Sequence, residues 1–302
     1  MVELAEVIIM LCNMCPRRCN VDRDETLGAC GCGSEISVSR TVRHFWEEPC
    51  ISGKNGSGAI FFSGCNLKCI YCQNYSISRG IVGKELSKSE FQSLLMNISE
   101  SGAHNINLVT PTHFTMQIAE ALSEIKSDLK IPIVWNTSGY ETEESIEALK
   151  GLVDIFLCDV KYFSDEFAVE YSHAPNYFGY AKKAIEKMVS ITGKPTYDDN
   201  GLMKSGVILR HLVLPGGRHD SESILTELAH ISDSVVLSLM CQYTPTPSVE
   251  SHKLLSRRVA SLEYNHAVKC ANKLGFNGYI QDKTSAKSEY TPDFEEKWDF
   301  VY

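Results

Sequence analysis

The sequence predicts an α/β fold built on a mostly parallel sheet, and two observations carry that reading. From Gly58 onward, apolar β-type runs alternate with amphipathic helical stretches, the order that crossover helices between parallel strands produce. The second observation is where the 12 cysteines of the 302-residue chain fall. Cys12, Cys15, Cys19, Cys30, Cys32 and Cys50 crowd the front, and Cys65, Cys69 and Cys72 follow the first strand of the alternating region. The expected organisation is a small cysteine-rich N-terminal module over residues 1–55 and an α/β domain over residues 56–302.

The elements follow in order. Residues 58–64 read as a buried strand ending at a glycine turn, which delivers three cysteines on a loop at the strand's C-terminal end. Parallel barrels place their chemistry on that face. Residues 89–101 put Phe91, Leu94, Leu95 and Ile98 on one helical face, with Ser87 or Ser89 near the cap. Residues 105–109 form a short strand, 114–128 a helix and 131–135 a strand. Residues 143–149 and 153–158 make the next helix–strand pair, and a longer excursion with a helix at 180–191 follows. Strands at 207–214 and 235–241 flank a helix near 221–232, and a helix over about 256–274 precedes a short strand at 278–281. That makes about six strand–helix units, fewer than the eight of a closed barrel. The count by itself permits any parallel α/β fold.

Composition bounds the function. Hydrophobic residues at 43% and charged residues at 22% suit a globular chain. No apolar run reaches membrane-spanning length. Glu3 and Glu6 stand where a secretory signal would carry Lys or Arg. Many cysteines without such a signal point to a reducing compartment and metal ligation, so a cytoplasmic location is expected. A net charge of −9 without a dense basic run argues against a nucleic-acid partner. It leans toward a protein, peptide or small-molecule substrate.

Cys65-x-x-x-Cys69-x-x-Cys72, with Tyr71 before the last sulfur, is the most informative motif. Three thiolates can hold three corners of a [4Fe–4S] cluster and leave the fourth iron open to a chelating small molecule. A thioredoxin-like pair at Cys69 and Cys72 would give Cys65 no role, and a closed zinc site lacks a nearby fourth ligand, since the next cysteine is Cys158. In the N-terminal module, Cys12, Cys15, Cys19 and Cys30 could bind zinc or a second Fe–S cluster, or be packed reduced thiols. Cys32 and Cys50 leave that ligand set open.

Other polar residues gather at predicted strand ends. Asp159 and Lys161 alternate with Val160, which on a strand sends both to one face, as a functional pair or a structural salt bridge. The planar guanidinium of Arg210 suits a bidentate carboxylate, and on position alone a solvated strand-end charge is an equal reading. His44, His104, His113, His211 and His219 read as structural or surface residues, Trp46 and Trp135 as packing, and Cys158, Cys241 and Cys270 as buried thiols.

The blocks Cys15-Pro16-Arg17-Arg18-Cys19, Glu47-Glu48-Pro49-Cys50-Ile51-Ser52-Gly53 and Val109-Thr110-Pro111-Thr112-His113 fall beside predicted strand ends or turns. So do Trp135-Asn136-Thr137-Ser138-Gly139-Tyr140, Asp159-Val160-Lys161-Tyr162, Arg210-His211-Leu212-Val213-Leu214-Pro215-Gly216 and Met240-Cys241-Gln242-Tyr243-Thr244-Pro245. With the cysteine triplet, they make the chain resemble the radical S-adenosylmethionine (SAM) superfamily, and within it the homologues of pyruvate formate-lyase activating enzyme. The resemblance implies a partial, laterally open (β/α)6 TIM-like barrel. It implies a [4Fe–4S] cluster on Cys65, Cys69 and Cys72 with SAM on the open iron, and Tyr71 near the adenine. Thr110, Pro111 and Thr112 stand where many relatives carry a Gly-Gly-Glu run facing the SAM amine. That run is absent here, so backbone carbonyls and threonine hydroxyls would serve. Asn136 and Thr137 would meet the ribose or methionyl end, and Asp159, Lys161 and Arg210 would complete the pocket.

The implied activity is oxidoreductive radical chemistry. A reductant such as flavodoxin or ferredoxin supplies one electron, SAM is cleaved to a 5′-deoxyadenosyl radical, and that radical takes hydrogen from a substrate. A glycine of a glycyl-radical enzyme is the substrate the resemblance names. Two alternatives stand beside it: the same chemistry on another peptide or a small molecule, and a non-catalytic iron–sulfur electron carrier.

Overall fold

The computed structural model describes residues 11–80, 82–281 and 298–300. Glu3 and Glu6, read above against a secretory signal, lie outside the described residues. Among the described residues ten strands form: β1 Ile36–His44, β2 Ser57–Phe62, β3 Lys84–Leu86, β4 Ile106–Val109 and β5 Ile133–Thr137. They continue with β6 Ile155–Asp159, β7 Thr196–Tyr197, β8 Met203–Leu212, β9 Val236–Met240 and β10 Gly278–Ile280. The sheet runs β10-β9-β8-β6-β5-β4-β2-β1-β3, with β7 attached to β8. Every neighbouring pair from β2 to β10 along that path is parallel. β1 is antiparallel to both β2 and β3. The sheet ends in β10 on one side and β3 on the other and does not close, as expected for a partial barrel.

The expected alternation is present. Helix Lys88–Glu100 begins at Ser87 with a reciprocal capping box: the Ser87 side chain accepts from the Glu90 amide, and Glu90 accepts from the Ser87 amide at 2.8 Å. Its Phe91, Leu94, Leu95 and Ile98 are fully buried, each contributing about 1.5–3 kcal/mol by removal from water. The last long helix, Ser261–Lys273, starts later than its periodicity suggests, because Glu263 reaches back to the Ala260 amide at 2.8 Å and caps it there.

β1, β3 and helix Asp165–Ser172 are additions to the predicted elements. β1 hides its period-2 pattern because Ser37, Ser39, Arg40 and Thr41 are buried along with Ile36 and Val38. It lies within the segment expected as a separate module, yet it is hydrogen-bonded into the main sheet.

The lumen has a floor. Helix Pro49–Ser52 puts Cys50 and Ile51 against Val134, Ile155, Leu157, Met203 and Ile208, the inward residues of β5, β6 and β8. The alternate residues Trp135, Phe156 and Leu209 belong to the core between sheet and helices.

His211, at the end of β8, is buried; Nδ1 lies 2.7 Å from the Val160 carbonyl and Nε2 2.8 Å from Ser221 Oγ. A neutral ring satisfies both contacts by donating from Nδ1 and accepting at Nε2. Burial lowers its pKa to about 4. The unfolded chain therefore takes up a proton near pH 6.5 that the folded chain refuses, and stability falls as pH drops from about 6.5 toward 4. Between pH 7 and 5 this one residue should remove about 2 kcal/mol. Urea unfolding at both pH values checks it: the His211→Gln variant should lack this part of the acid slope, and identical slopes for variant and parent would refute the neutral-ring reading.

Candidate functional site

A cavity of about 580 Å³ opens at the C-terminal ends of the parallel strands. Its wall brings together Cys65, Cys69 and Cys72 from the loop after β2, Thr110 after β4, and Asn136, Thr137 and Ser138 at the end of β5. Asp159 comes from the end of β6 and Lys161 from just beyond it, Arg210 from β8, Ser238 and Met240 from β9, and Gln281 from beyond β10. Residues separated by more than 200 positions thus share one concave surface, since each strand of a parallel sheet ends on the same face.

The cysteine loop is set by a turn that only glycine can make. Gly64 has φ +76°, and a Cβ there would collide with Cys32 Sγ and the Cys30 carbonyl. Cys69 Sγ accepts from Ser172 Oγ at 2.8 Å, and Cys65 Sγ accepts from the Leu67 amide at 3.4 Å. Burial pushes the thiols of Cys65, Cys69 and Cys72 up, so thiolates here need a nearby cation to hold their charge. Lys161 supplies part of that at Cys69. Three thiols on one wall with no fourth cysteine beside them fit an iron–sulfur cube with an open corner.

Tyr71 sits behind the cysteine loop. Its ring is buried in edge contact with Tyr171 and Tyr243, and it does not line the cavity. Its hydroxyl is 2.5 Å from Tyr162 Oη, which is 2.6 Å from Ser172 Oγ, so a chain of hydroxyls runs from Tyr71 to the Cys69 sulfur.

Of the turn after β4, Thr110 lines the cavity with φ +59°, held by its amide to the Asn136 carbonyl at 2.8 Å. Pro111 is not part of the wall. Thr112 is buried and donates to Glu141 Oε1 at 2.7 Å. The same carboxylate accepts from Thr137 Oγ1 at 2.6 Å and Trp135 Nε1 at 3.2 Å, and its other oxygen from Ser145 at 3.4 Å. Burial pushes Glu141 up, and these donors pull against that. Glu141 locks the β4 and β5 ends to each other. Its one signal in sequence is its position directly after the Thr137–Tyr140 block.

Asp159 and Lys161 form the expected pair, Nζ to Oδ2 at 2.5 Å, both on the cavity wall. Burial disfavours the ammonium, but Asp159 together with Tyr71, Cys69 and Tyr177 outweighs it and raises the Lys161 pKa well above its ordinary value.

Arg210 is held by acids from the segment before β2. Its Nε donates to Glu48 Oε1 at 2.8 Å and Nη2 to Glu48 Oε2 at 2.5 Å; Nη2 also pairs with Glu47, and Nη1 reaches Asn136 at 3.5 Å. Glu47 further accepts from Asn107 Nδ2 at 2.7 Å and lies 3.4 Å from His44 Nδ1. Burial pushes Glu47 up, but Arg210 and His44 prevail and hold its carboxyl far below the usual range. In this structure the bidentate partner of Arg210 is thus Glu48. Glu47 and Glu48 line the cavity and give it an acidic floor that the residue-by-residue reading had not assigned. Cys12, Cys15, Cys19 and Cys30 lie before β1 and off this wall. Among the described residues, no helix is long and apolar enough to cross a membrane.

The family model described as the radical SAM superfamily matches residues 59–225. The chain is 31% identical over 283 residues to the uncharacterized protein MJ0674 of Methanocaldococcus jannaschii, covering 90% of this chain and 77% of that one. Among solved structures it is similar to Streptococcus suis SuiB bound to S-adenosylmethionine, at 10% identity and a TM-score of 0.48, over 72% of this chain and 48% of that one. It is also similar to methylornithine synthase (PylB), at 12% identity and a TM-score of 0.45, over 70% of this chain and 60% of that one. The match thus spans about half the length of SuiB.

Proposed function

The chain belongs to the radical SAM superfamily, whose members use a [4Fe–4S] cluster and SAM, and from that premise we propose that it takes hydrogen from a peptide or protein substrate. The glycine loop of a glycyl-radical enzyme is the substrate that the likeness to pyruvate formate-lyase activating enzyme homologues implies. The observation that carries the reading is a single cavity that joins the three thiols to the polar strand ends.

When bound, the cluster and SAM supply an electron-driven cleavage of the sulfonium that gives methionine and a 5′-deoxyadenosyl radical, the species that takes the hydrogen. The chain's own part is holding and positioning. Cys65, Cys69 and Cys72 would be the iron ligands, with the Ser172 hydroxyl donating to the Cys69 sulfur. Thr110, Asn136, Thr137, Asp159 and Lys161 would present hydroxyl, amide and charged groups to a ribose and an amino-acid moiety. Glu141 fixes the two strand ends from which Thr112 and Thr137 project. Glu47, Glu48 and Arg210 pair with one another on the cavity wall.

Size limits the substrate to a slender group. A volume of about 580 Å³ suits a small-molecule site of roughly 300–1,000 Å³. With cofactors inside, little room remains, so the reacting atom would arrive from the mouth on a narrow chain or small molecule. Anaerobic reconstitution, reduction with dithionite and chromatography for 5′-deoxyadenosine test the proposal. Product should form and rise when a glycyl-radical enzyme is added, together with a glycyl radical signal by electron paramagnetic resonance. A cluster without SAM-dependent product would leave the electron-carrier reading. Product without the glycyl signal would point to another substrate.

A further inference from the structure

Residues 11–35 contain no helix or strand, and they precede the first regular element. Two of their few large apolar side chains, Leu11 and Leu27, are 43% and 58% exposed. All the described cysteines are free thiols. A short irregular segment without a core of its own generally needs a covalent or metal crosslink to hold one shape.

The thiols are arranged for one. Hydrogen bonds from the Cys12 amide to the Val21 carbonyl and from the Asn20 amide to the Cys12 carbonyl, both 2.9 Å, bring Cys12 beside the Cys19 end of its loop. Between them the chain turns at Cys15, whose carbonyl accepts from Arg18 at 3.0 Å, with Arg18 and Asn20 at φ +43° and +53°. Cys19 Sγ accepts from the Ala29 amide at 3.2 Å. A Cβ on Gly28 would fall 3.3 Å from Cys30 Sγ and 3.8 Å from Cys19 Sγ, so those sulfurs flank the same glycine.

The structure also removes two candidates. Cys50 is in the barrel floor with Ile51. Cys32 Sγ touches the Cys30 side chain but is turned toward the Cys65 loop, where it donates to the Ser63 carbonyl at 3.2 Å. We propose that Cys12, Cys15, Cys19 and Cys30 hold a second metal centre, a soft-metal site of four thiolates built into the outer wall of the Cys65–Cys72 loop.

The wall is stitched in place. Cys30 accepts from the Cys65 amide at 3.2 Å, and Arg17 donates to the carbonyls of Asn66 at 2.6 Å and Ser172 at 3.1 Å. A metal in this segment would therefore brace the loop that carries the three cavity thiols. Zinc and an iron–sulfur cube share the thiolate chemistry but differ in size. Among the described residues, no three cysteine sulfurs lie mutually within 4.8 Å, and this includes Cys65, Cys69 and Cys72. A zinc tetrathiolate with bonds of about 2.3 Å would put its sulfurs roughly 3.8 Å apart. In any trio of these thiols at least one pair thus stands wider than a closed zinc site would hold it.

Metal and sulfide analysis of the full chain with Cys65→Ala, Cys69→Ala and Cys72→Ala tests this independently of the SAM reading. After anaerobic reconstitution that variant should keep roughly four iron and four sulfide, or one zinc, which tells the two sources apart. Adding Cys12→Ala and Cys19→Ala should remove the metal, and adding Cys32→Ala should not. A folded, metal-free triple variant overturns the proposal, as does loss of metal on Cys32→Ala but not on Cys12→Ala. Should the triple variant not fold, Cys12→Ala with Cys19→Ala in the otherwise intact chain should halve a total of roughly eight irons, or remove one zinc. An unchanged metal content there overturns the proposal equally.

Discussion

Cys69→Ala should leave a folded chain that has lost its cavity iron and all SAM cleavage. Of the three cavity thiols, Cys69 is the one that Ser172 Oγ hydrogen-bonds at 2.8 Å, so its sulfur is also fixed through Tyr162 to the buried Tyr71. A cube held at three corners has no substitute for a missing thiolate here, since the wall carries no other cysteine. The structural cost of the change itself is small. Replacing one sulfur by hydrogen in a loop should cost about 1–2 kcal/mol, well below the stability of a domain of this size. Iron should fall by roughly four per chain, and 5′-deoxyadenosine to the level of a mock reaction. Cys158→Ala is the matched control: it too removes a buried sulfur, but from the core between sheet and helices, and should keep iron and product. Full iron and full product in Cys69→Ala would remove this residue from the ligand set.

Arg210→Ala should destabilise the fold before it affects any ligand. The guanidinium is 11% exposed and balances Glu47 and Glu48, which are 8% and 6% exposed. Breaking a buried pair by removing one partner leaves a charge without compensation, at about 3–5 kcal/mol. Arg210→Lys keeps the charge and loses the fork, so it should fall between parent and Ala variant. The pH dependence distinguishes the causes. In the parent, Glu47 titrates below its unfolded value because of Arg210 and His44, so this stabilisation is present above about pH 4.3 and fades as pH falls toward the folded value. Without Arg210, burial dominates the Glu47 carboxyl and raises it above its unfolded value, so the variant should regain stability as pH falls from 7 to 5. Its deficit against the parent should therefore narrow with acid. Urea unfolding at the two pH values measures this. A deficit under about 1 kcal/mol that does not change with pH would mark a screened surface charge. A stable variant with weakened SAM binding would instead return Arg210 to the ligand.

Much of the molecule is written in local patterns. The spacing of Cys65, Cys69 and Cys72 follows directly from chain order, and ligands on one short loop need no distant partner to converge. The helix Lys88–Glu100 is equally legible, since its cap at Ser87 and its apolar face lie within a few turns of each other. The parallel strands announced themselves as apolar runs because both of their faces are covered. Asp159 and Lys161 could be placed on one face from alternation alone, and they meet there.

The tertiary structure decided what depends on residues far apart in sequence. That Glu47 and Glu48 close the floor beneath Arg210, across more than 160 positions, has no periodic trace, because a segment outside the sheet carries them into the lumen. Tyr71 faces Tyr162 and Tyr243 instead of the cavity because of how its loop packs on the excursion after β6. β1 was hidden by buried serines, whose polarity is acceptable only where the sheet surrounds them. The same holds for the N-terminal thiols. Their number and spacing are in the sequence, whereas the turning of Cys32 toward Ser63 and the sinking of Cys50 into the barrel floor come from packing. Short-range spacing determines which atoms can share a ligand. Burial and long-range pairing, with their desolvation costs, determine which of them face it.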